Sequence, residues 1–110
     1  MGGGRATVAT DGGAVFAARD DGAFRGGERV WVGVRPERMA IDGAGENRLA
    51  GILEDEVYLG DRTHWRVRVA GALFIVAEGV LAPQRRRGEA VTITFAPDAV
   101  LRLDDAGGRP

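Results

Sequence analysis

The stretch that decides the fold is Arg62-Thr63-His64-Trp65-Arg66-Val67-Arg68-Val69-Ala70. Larger, mostly apolar side chains alternate along it with His64 and arginines. A period of two places successive side chains on opposite faces of a β-strand. The pattern therefore predicts a half-buried strand in which Trp65 is a core anchor beside Val67 and Val69.

The same alternation recurs on both sides of this stretch. Val30, Val32 and Val34 form a second alternating run. This strand should end at Pro36 or run along a sheet edge there, because proline has no N–H for a β-ladder. Val91, Ile93 and Phe95 form a third run. Short apolar segments separated by Gly- or Pro-containing turns predict further strands at residues 5–10, 14–18, 39–41, 73–77 and 100–103.

Residues 47–59 fit neither clean alternation nor a helical stripe. We interpret them as one long, bulged strand. Gly51 supports this, because a glycine inside a strand often marks a bulge or sharp coiling, as small barrels require at their corners. A helix around residues 54–58 is the alternative.

Eight or so short strands without a long helical stripe predict an all-β fold. The 110 residues are enough for one domain, and the 18 glycines are scattered between the apolar runs, as tight turns require. The expected architecture is a small antiparallel OB-like barrel, or barrels, with a Greek-key or sandwich-like strand arrangement.

Composition excludes several kinds of site. The chain has no Ser, Cys or Lys and only one His, so it can build no Ser or Cys triad, no Schiff base and no phosphate-binding Walker loop. A net charge of -1 supplies no field for holding a polyanion. We therefore predict no catalytic residues, no cofactor-binding residues and no metal ligands.

Five motifs follow one another in a recognisable order. They are Arg35-Pro36-Glu37 after the valine run, Asn47-Arg48-Leu49 with Gly51, the stretch from Val57-Tyr58-Leu59-Gly60-Asp61 to His64, Gly88-Glu89-Ala90-Val91, and Phe95 with Pro97-Asp98 and Leu101. The series resembles the transport-associated OB (TOBE) domain at the C-terminus of ABC importer ATP-binding subunits, most like those of spermidine/putrescine importers. The motif residues it singles out are Arg35, Pro36, Glu37, Asn47, Tyr58, Gly60 and Asp61.

This resemblance implies a division of the chain and a role. Residues 1–25 would be a strand pair that contributes to the regulatory barrel, residues 26–105 the TOBE domain, and residues 106–110 a tail. The role would be that of a non-catalytic regulatory and dimer-supporting domain. ATP and Mg would bind in an N-terminal ATPase domain that this sequence lacks, so we expect Met1 to begin a fragment.

The same resemblance implies partners and a location. The partners would be the missing ATPase domain, a second copy of the ATPase subunit and the membrane permease subunits, with no nucleic acid. The protein would lie in the cytoplasm, at the inner face of the cell membrane.

Two charged clusters are candidate ligand or partner contacts. Glu54, Asp55 and Glu56 could together attract a polyamine, or they could be an ordinary solvated face. Arg85, Arg86 and Arg87 could grip a phosphate or RNA strand, as OB barrels often do, or they could be a solvated loop or a subunit contact.

Three further interpretations stay open at this point. Arg35 and Glu37 are expected to brace neighbouring loops, with ligand contact as the alternative, and His64 is expected to face solvent. A nucleic-acid-binding OB domain is the alternative function. An enzyme that works with carboxylates alone comes third, since it would need a substrate cleft.

Overall fold

The structure is a computed structural model that describes residues 4–20, 26–27, 29–79 and 81–103. The described residues form nine strands and two short 3-10 turns, joined by loops. The prediction of an all-β fold is confirmed. The strands are β1 Gly4–Ala9, β2 Val15–Asp20, β3 Trp31–Val34, β4 Ala40–Ile41, β5 Asn47–Tyr58, β6 Arg62–Val69, β7 Ala72–Gly79, β8 Ala90–Phe95 and β9 Val100–Leu103. The predicted tail and residues 1–3 and 21–25 lie outside the described ranges.

The strands form three antiparallel sheets. Five of them are ordered β4-β8-β5-β6-β7, while β1 pairs with β2 and β3 pairs with β9. Strands β4 and β7 lie at opposite ends of the five-stranded order and yet contact each other, so this sheet curls into a half-barrel. The antiparallel OB-like architecture expected from the sequence is therefore confirmed.

One hydrophobic core lies inside the curl. As predicted, Trp65, Val67 and Val69 of β6 point into it, and Trp65 is only 4% exposed. The hairpin β1–β2 contributes Phe16, whose ring packs edge-on against Phe95 of β8 with centroids 5.4 Å apart. The hairpin therefore shares the core of the larger sheet.

Strand β5 is one long strand with a bulge, as expected, but the bulge is not at Gly51. The pairing with β6 shifts between Leu53 and Asp55, which leaves Glu54 as the extra residue. Gly51 has a different function, because a Cβ there would lie 2.7 Å from Cγ1 of Val67 and 2.8 Å from Cγ2 of Val69. The helical alternative for residues 54–58 is wrong, since they form part of the ladder.

Each 3-10 turn begins with proline, Pro36–Arg38 after β3 and Pro97–Ala99 before β9. The side chains of Arg38 and Asp98 link the two turns at 3.0 Å. Arg35 and Glu37 are exposed, and neither has a hydrogen bond or ion pair from its side chain within the described ranges. The expected bracing of loops thus falls to Arg38 rather than to these two.

The 3-10 turns are the only helical elements in the described ranges, and neither is long enough to span a membrane.

Candidate functional site

A half-open cavity of about 670 Å³ lies on the concave side of the curled sheet. Strands β5, β6 and β7 form its floor, and the connection between β7 and β8 forms one wall. The lining residues are Glu56, Tyr58, Thr63, Trp65, Glu78, Gly79, Ala82, Pro83, Gln84, Arg85 and Arg86.

Four side chains on β5 and β6 form the centre of the floor. In the antiparallel register Glu56 lies opposite Trp65, and Tyr58 lies opposite Thr63. Directly opposed residues share one face of a sheet. All four therefore face the cavity, on the same side as the buried residues of β6.

Trp65 presents a hydrogen-bond donor to this cavity. Its indole N–H has no partner within the described ranges, and Asp55 Oδ1 is the only buried side-chain polar atom there that lacks a hydrogen bond. The indole nitrogen is therefore on the 4% of Trp65 that stays accessible. Because indole nitrogen only donates, any group that meets it there must be an acceptor.

A buried ion pair holds the wall of the cavity. Arg85 Nη2 lies 2.8 Å from Glu78 Oε2, with side chains that are 8% and 11% exposed. Arg85 Nε also donates to Glu78, and Asp42 lies 3.7 Å from Arg85 Nη1. The hydrogen bond to Glu78 raises the pKa of Arg85 above its usual value. Such charge-assisted, bidentate pairs fix geometry strongly.

The far end of the same connection is tied to β5. The backbone N–H of Gly88 donates to the carbonyl of Leu53 at 2.7 Å, and the N–H of Leu53 donates to the carbonyl of Glu89 at 2.9 Å. The connection that forms the wall is therefore fixed to β7 by the Arg85–Glu78 pair and to β5 by the backbone of Leu53.

The predicted arginine triplet is divided by this arrangement. Arg85 is buried in its pair with Glu78, so a phosphate grip made of all three arginines is contradicted. Arg86 and Arg87 are exposed, and the guanidinium of Arg86 has no partner in the described part of the chain. The sequence could not reveal this, because burial depends on which arginine faces β7.

The predicted acidic cluster is divided as well. Glu54 pairs with Arg68 at 2.9 Å and Asp55 with Arg66 at 3.3 Å, both on the convex face of the sheet. The hydrogen bond from Arg68 lowers the pKa of Glu54. Glu56 alone faces the cavity, and it has no partner in the described ranges. The three carboxylates therefore do not form a common polyamine surface.

The other motif residues have local contacts. Asn47 is buried and hydrogen bonds with the backbone of Ala17. Tyr58 donates its hydroxyl to the carbonyl of Gly60 at 2.8 Å, across the β5–β6 turn. Asp61 pairs with Arg62, whose hydrogen bond lowers the pKa of Asp61.

The described residues include no group of three or more His, Asp or Glu side chains arranged to hold a metal. His64 is half-buried and lies opposite Val57 and Ala77, on the convex face.

Comparison with known proteins gives a family match. The model of the TOBE domain family matches residues 32–103. A spermidine/putrescine import ATP-binding protein PotA from Ruegeria pomeroyi is 30% identical over 84 residues, covering 73% of this chain and 23% of that protein. A protein of the same name from Rubrobacter xylanophilus is 35% identical over 96 residues, covering 83% of this chain and 26% of that protein. The chain therefore spans about a quarter of the length of these relatives.

Proposed function

The chain belongs to the TOBE domain family, and from this premise we propose that it is a non-catalytic regulatory and dimer-supporting domain of the ATP-binding subunit of a bacterial ABC importer. The observation that carries the proposal is the family match over residues 32–103. In the proposed protein, ATP and Mg bind in a separate ATPase domain. The partners are a second ATP-binding subunit and membrane permeases, at the cytoplasmic face of the membrane.

The chemistry of the residues supports a role exerted through contact. Phosphoryl transfer requires backbone amides with a lysine and a metal-binding hydroxyl around the nucleotide. This sequence has no lysine and no serine. An interface worth a few kcal/mol is enough to bias closure of a nucleotide-binding dimer without touching the nucleotide.

A polyamine or a similar small solute is the proposed cargo of the transporter. The support is that both relatives named above are spermidine/putrescine import proteins. The division of the acidic cluster in this fold argues that such cargo specificity lies elsewhere than in residues 54–56.

A domain exchange tests the proposal. The equivalent segment of the Ruegeria pomeroyi relative is replaced by this chain, and a version that ends before the segment is the control. Dimerisation, ATP turnover and spermidine uptake are measured in membranes that contain the permeases.

We expect the exchanged protein to recover dimerisation and the regulation of turnover that the truncated version loses. If the truncated version equals the intact relative in all three measurements, the proposed regulatory role is wrong. If the truncated version is impaired and the exchange restores nothing, the proposal fails for this chain alone.

A further inference from the structure

The cavity over β5 and β6 carries an inference that is independent of transport. We propose that it is a binding site for a small zwitterionic ligand, with one ammonium and one carboxylate group. Its volume of about 670 Å³ lies within the range of small-molecule sites.

The charges of the lining favour such a ligand over a polycation. Glu78 and Arg85 neutralise each other in their buried pair. Glu56 and Arg86 remain, one carboxylate and one guanidinium, and neither has a partner in the described ranges. A site with one free charge of each sign is complementary to a ligand that carries both charges.

The ammonium end is assigned to the β5 side of the floor. Glu56 and Tyr58 are two residues apart on one strand, so they lie next to each other on the concave face. The hydroxyl of Tyr58 is held by the Gly60 carbonyl, which fixes the ring. A carboxylate beside an aromatic ring provides an ion pair and a cation–π contact for an ammonium group.

The carboxylate end of the ligand is assigned to three hydrogen-bond donors that line the cavity, on Trp65, Thr63 and Arg86. The indole N–H of Trp65 has no partner in the described part of the chain, although only 4% of the residue is exposed. Thr63 on the same strand and Arg86 on the wall add a hydroxyl and a guanidinium. These groups can all donate to a carboxylate.

The test uses the indole N–H as its own reporter. The chain has two tryptophans, and Trp31→Phe identifies the resonance of Trp65. Nuclear magnetic resonance then follows this resonance while γ-aminobutyrate, butylamine, butyrate and 1,4-diaminobutane are titrated separately. These ligands share a four-carbon chain and differ in charge. The six-carbon series is titrated in parallel, because Glu56 lies on the floor of the cavity and Arg86 on its wall.

We expect a zwitterion of one length to bind with a Kd on the order of millimolar or tighter, and at least about tenfold more tightly than the matched amine, acid or diamine. Glu56→Gln should weaken zwitterion binding about tenfold and abolish the preference over the acid. Arg86→Gln should abolish the preference over the amine. The matched controls are Glu54→Gln and Arg87→Gln, which change the same groups outside the cavity and should leave the affinities unchanged.

Two results would overturn the assignment. One is diamine binding as tight as zwitterion binding, which would make the cavity a cation site. The other is the absence of any shift of the Trp65 resonance with both zwitterions at about 50 mM, well above a millimolar Kd. Neither result depends on ATP turnover or transport, so the proposed function stands or falls separately.

Discussion

The side chain of Asn47 forms a two-point contact with the backbone of Ala17. Its Oδ1 accepts from the N–H of Ala17 at 2.8 Å, and its Nδ2 donates to the carbonyl of the same residue at 2.8 Å. Asn47 begins β5, and Ala17 lies in β2, so the contact joins the N-terminal hairpin to the five-stranded sheet. Strands β2 and β5 share no backbone ladder, so this side-chain contact links them instead.

Asn47→Ala should therefore destabilise the domain by about 2–4 kcal/mol, because it leaves the N–H and carbonyl of Ala17 without partners in a partly buried place. Asn47→Asp keeps an acceptor and loses the donor, so its effect should also be destabilising. Chemical denaturation measures both. Arg48→Ala, an exposed change on the next residue, should stay within about 0.5 kcal/mol, and an equal effect of the two alanine variants would contradict this account.

Trp65→Ala should destabilise the domain by about 3–5 kcal/mol, through loss of buried apolar surface and the cavity left behind. Trp31, which is 45% exposed, provides the matched control. Trp31→Ala should have less than half this effect, since less of its surface leaves water on folding. Thermal or denaturant unfolding distinguishes the two, and a loss below about 1 kcal/mol for Trp65→Ala would show that its burial does not stabilise the fold.

Arg85→Met should destabilise the protein by about 3–5 kcal/mol, because Glu78 then stays buried without Arg85. Glu78→Leu should cost less, because Arg85 keeps Asp42 at 3.7 Å. Arg85→Met combined with Glu78→Leu should cost much less than the sum of the single changes. A double-mutant cycle measures this coupling. Arg87→Met, in the same triplet but exposed, is the control, and strict additivity of Arg85→Met and Glu78→Leu would contradict the pairing.

The Glu54–Arg68 pair predicts an acid dependence. The pKa of Glu54 is lowered in the folded state, so the unfolded state binds this proton more readily. The carboxylate of Glu54 therefore stabilises the fold at pH values above its pKa in the unfolded state. This contribution is lost as the pH falls through its lower pKa in the folded state. Arg68→Gln should raise the pKa of Glu54 toward its usual value of 4.5.

Carbon-detected magnetic resonance of the carboxyl groups measures that shift. Asp61, whose pKa is lowered by Arg62, is the internal control and should titrate unchanged in Arg68→Gln. An unchanged Glu54 titration in this variant would show that Arg68 is not the cause.

Much of the fold could be predicted because local pattern determines it. The alternation around Trp65 identifies a strand and its buried face without knowledge of the neighbours. The position of the bulge could not be predicted from Gly51, because this glycine leaves room for the side chains of Val67 and Val69 on a neighbouring strand. The position of the bulge depends on the cross-strand register, which a single strand's sequence does not encode.

The site was less predictable than the fold. Arg85, Arg86 and Arg87 are identical in type and adjacent in sequence, and only the path of the chain decides that Arg85 meets Glu78 and Asp42. Glu54, Asp55 and Glu56 are divided in the same way. A run of like charges in the sequence shows only that the residues are adjacent, whereas a site requires side chains that point the same way.

The bulge at Glu54 decides which residues at the end of β5 face inward. Before it, the odd-numbered residues Leu49 and Leu53 of β5 face inward, and after it the even-numbered Glu56 and Tyr58 do. In an uninterrupted register Val57 would instead lie opposite Thr63 and face inward. The bulge thus exchanges the inner and outer sides of the strand end, and a regular strand with all the same residues would turn both Glu56 and Tyr58 away from the cavity.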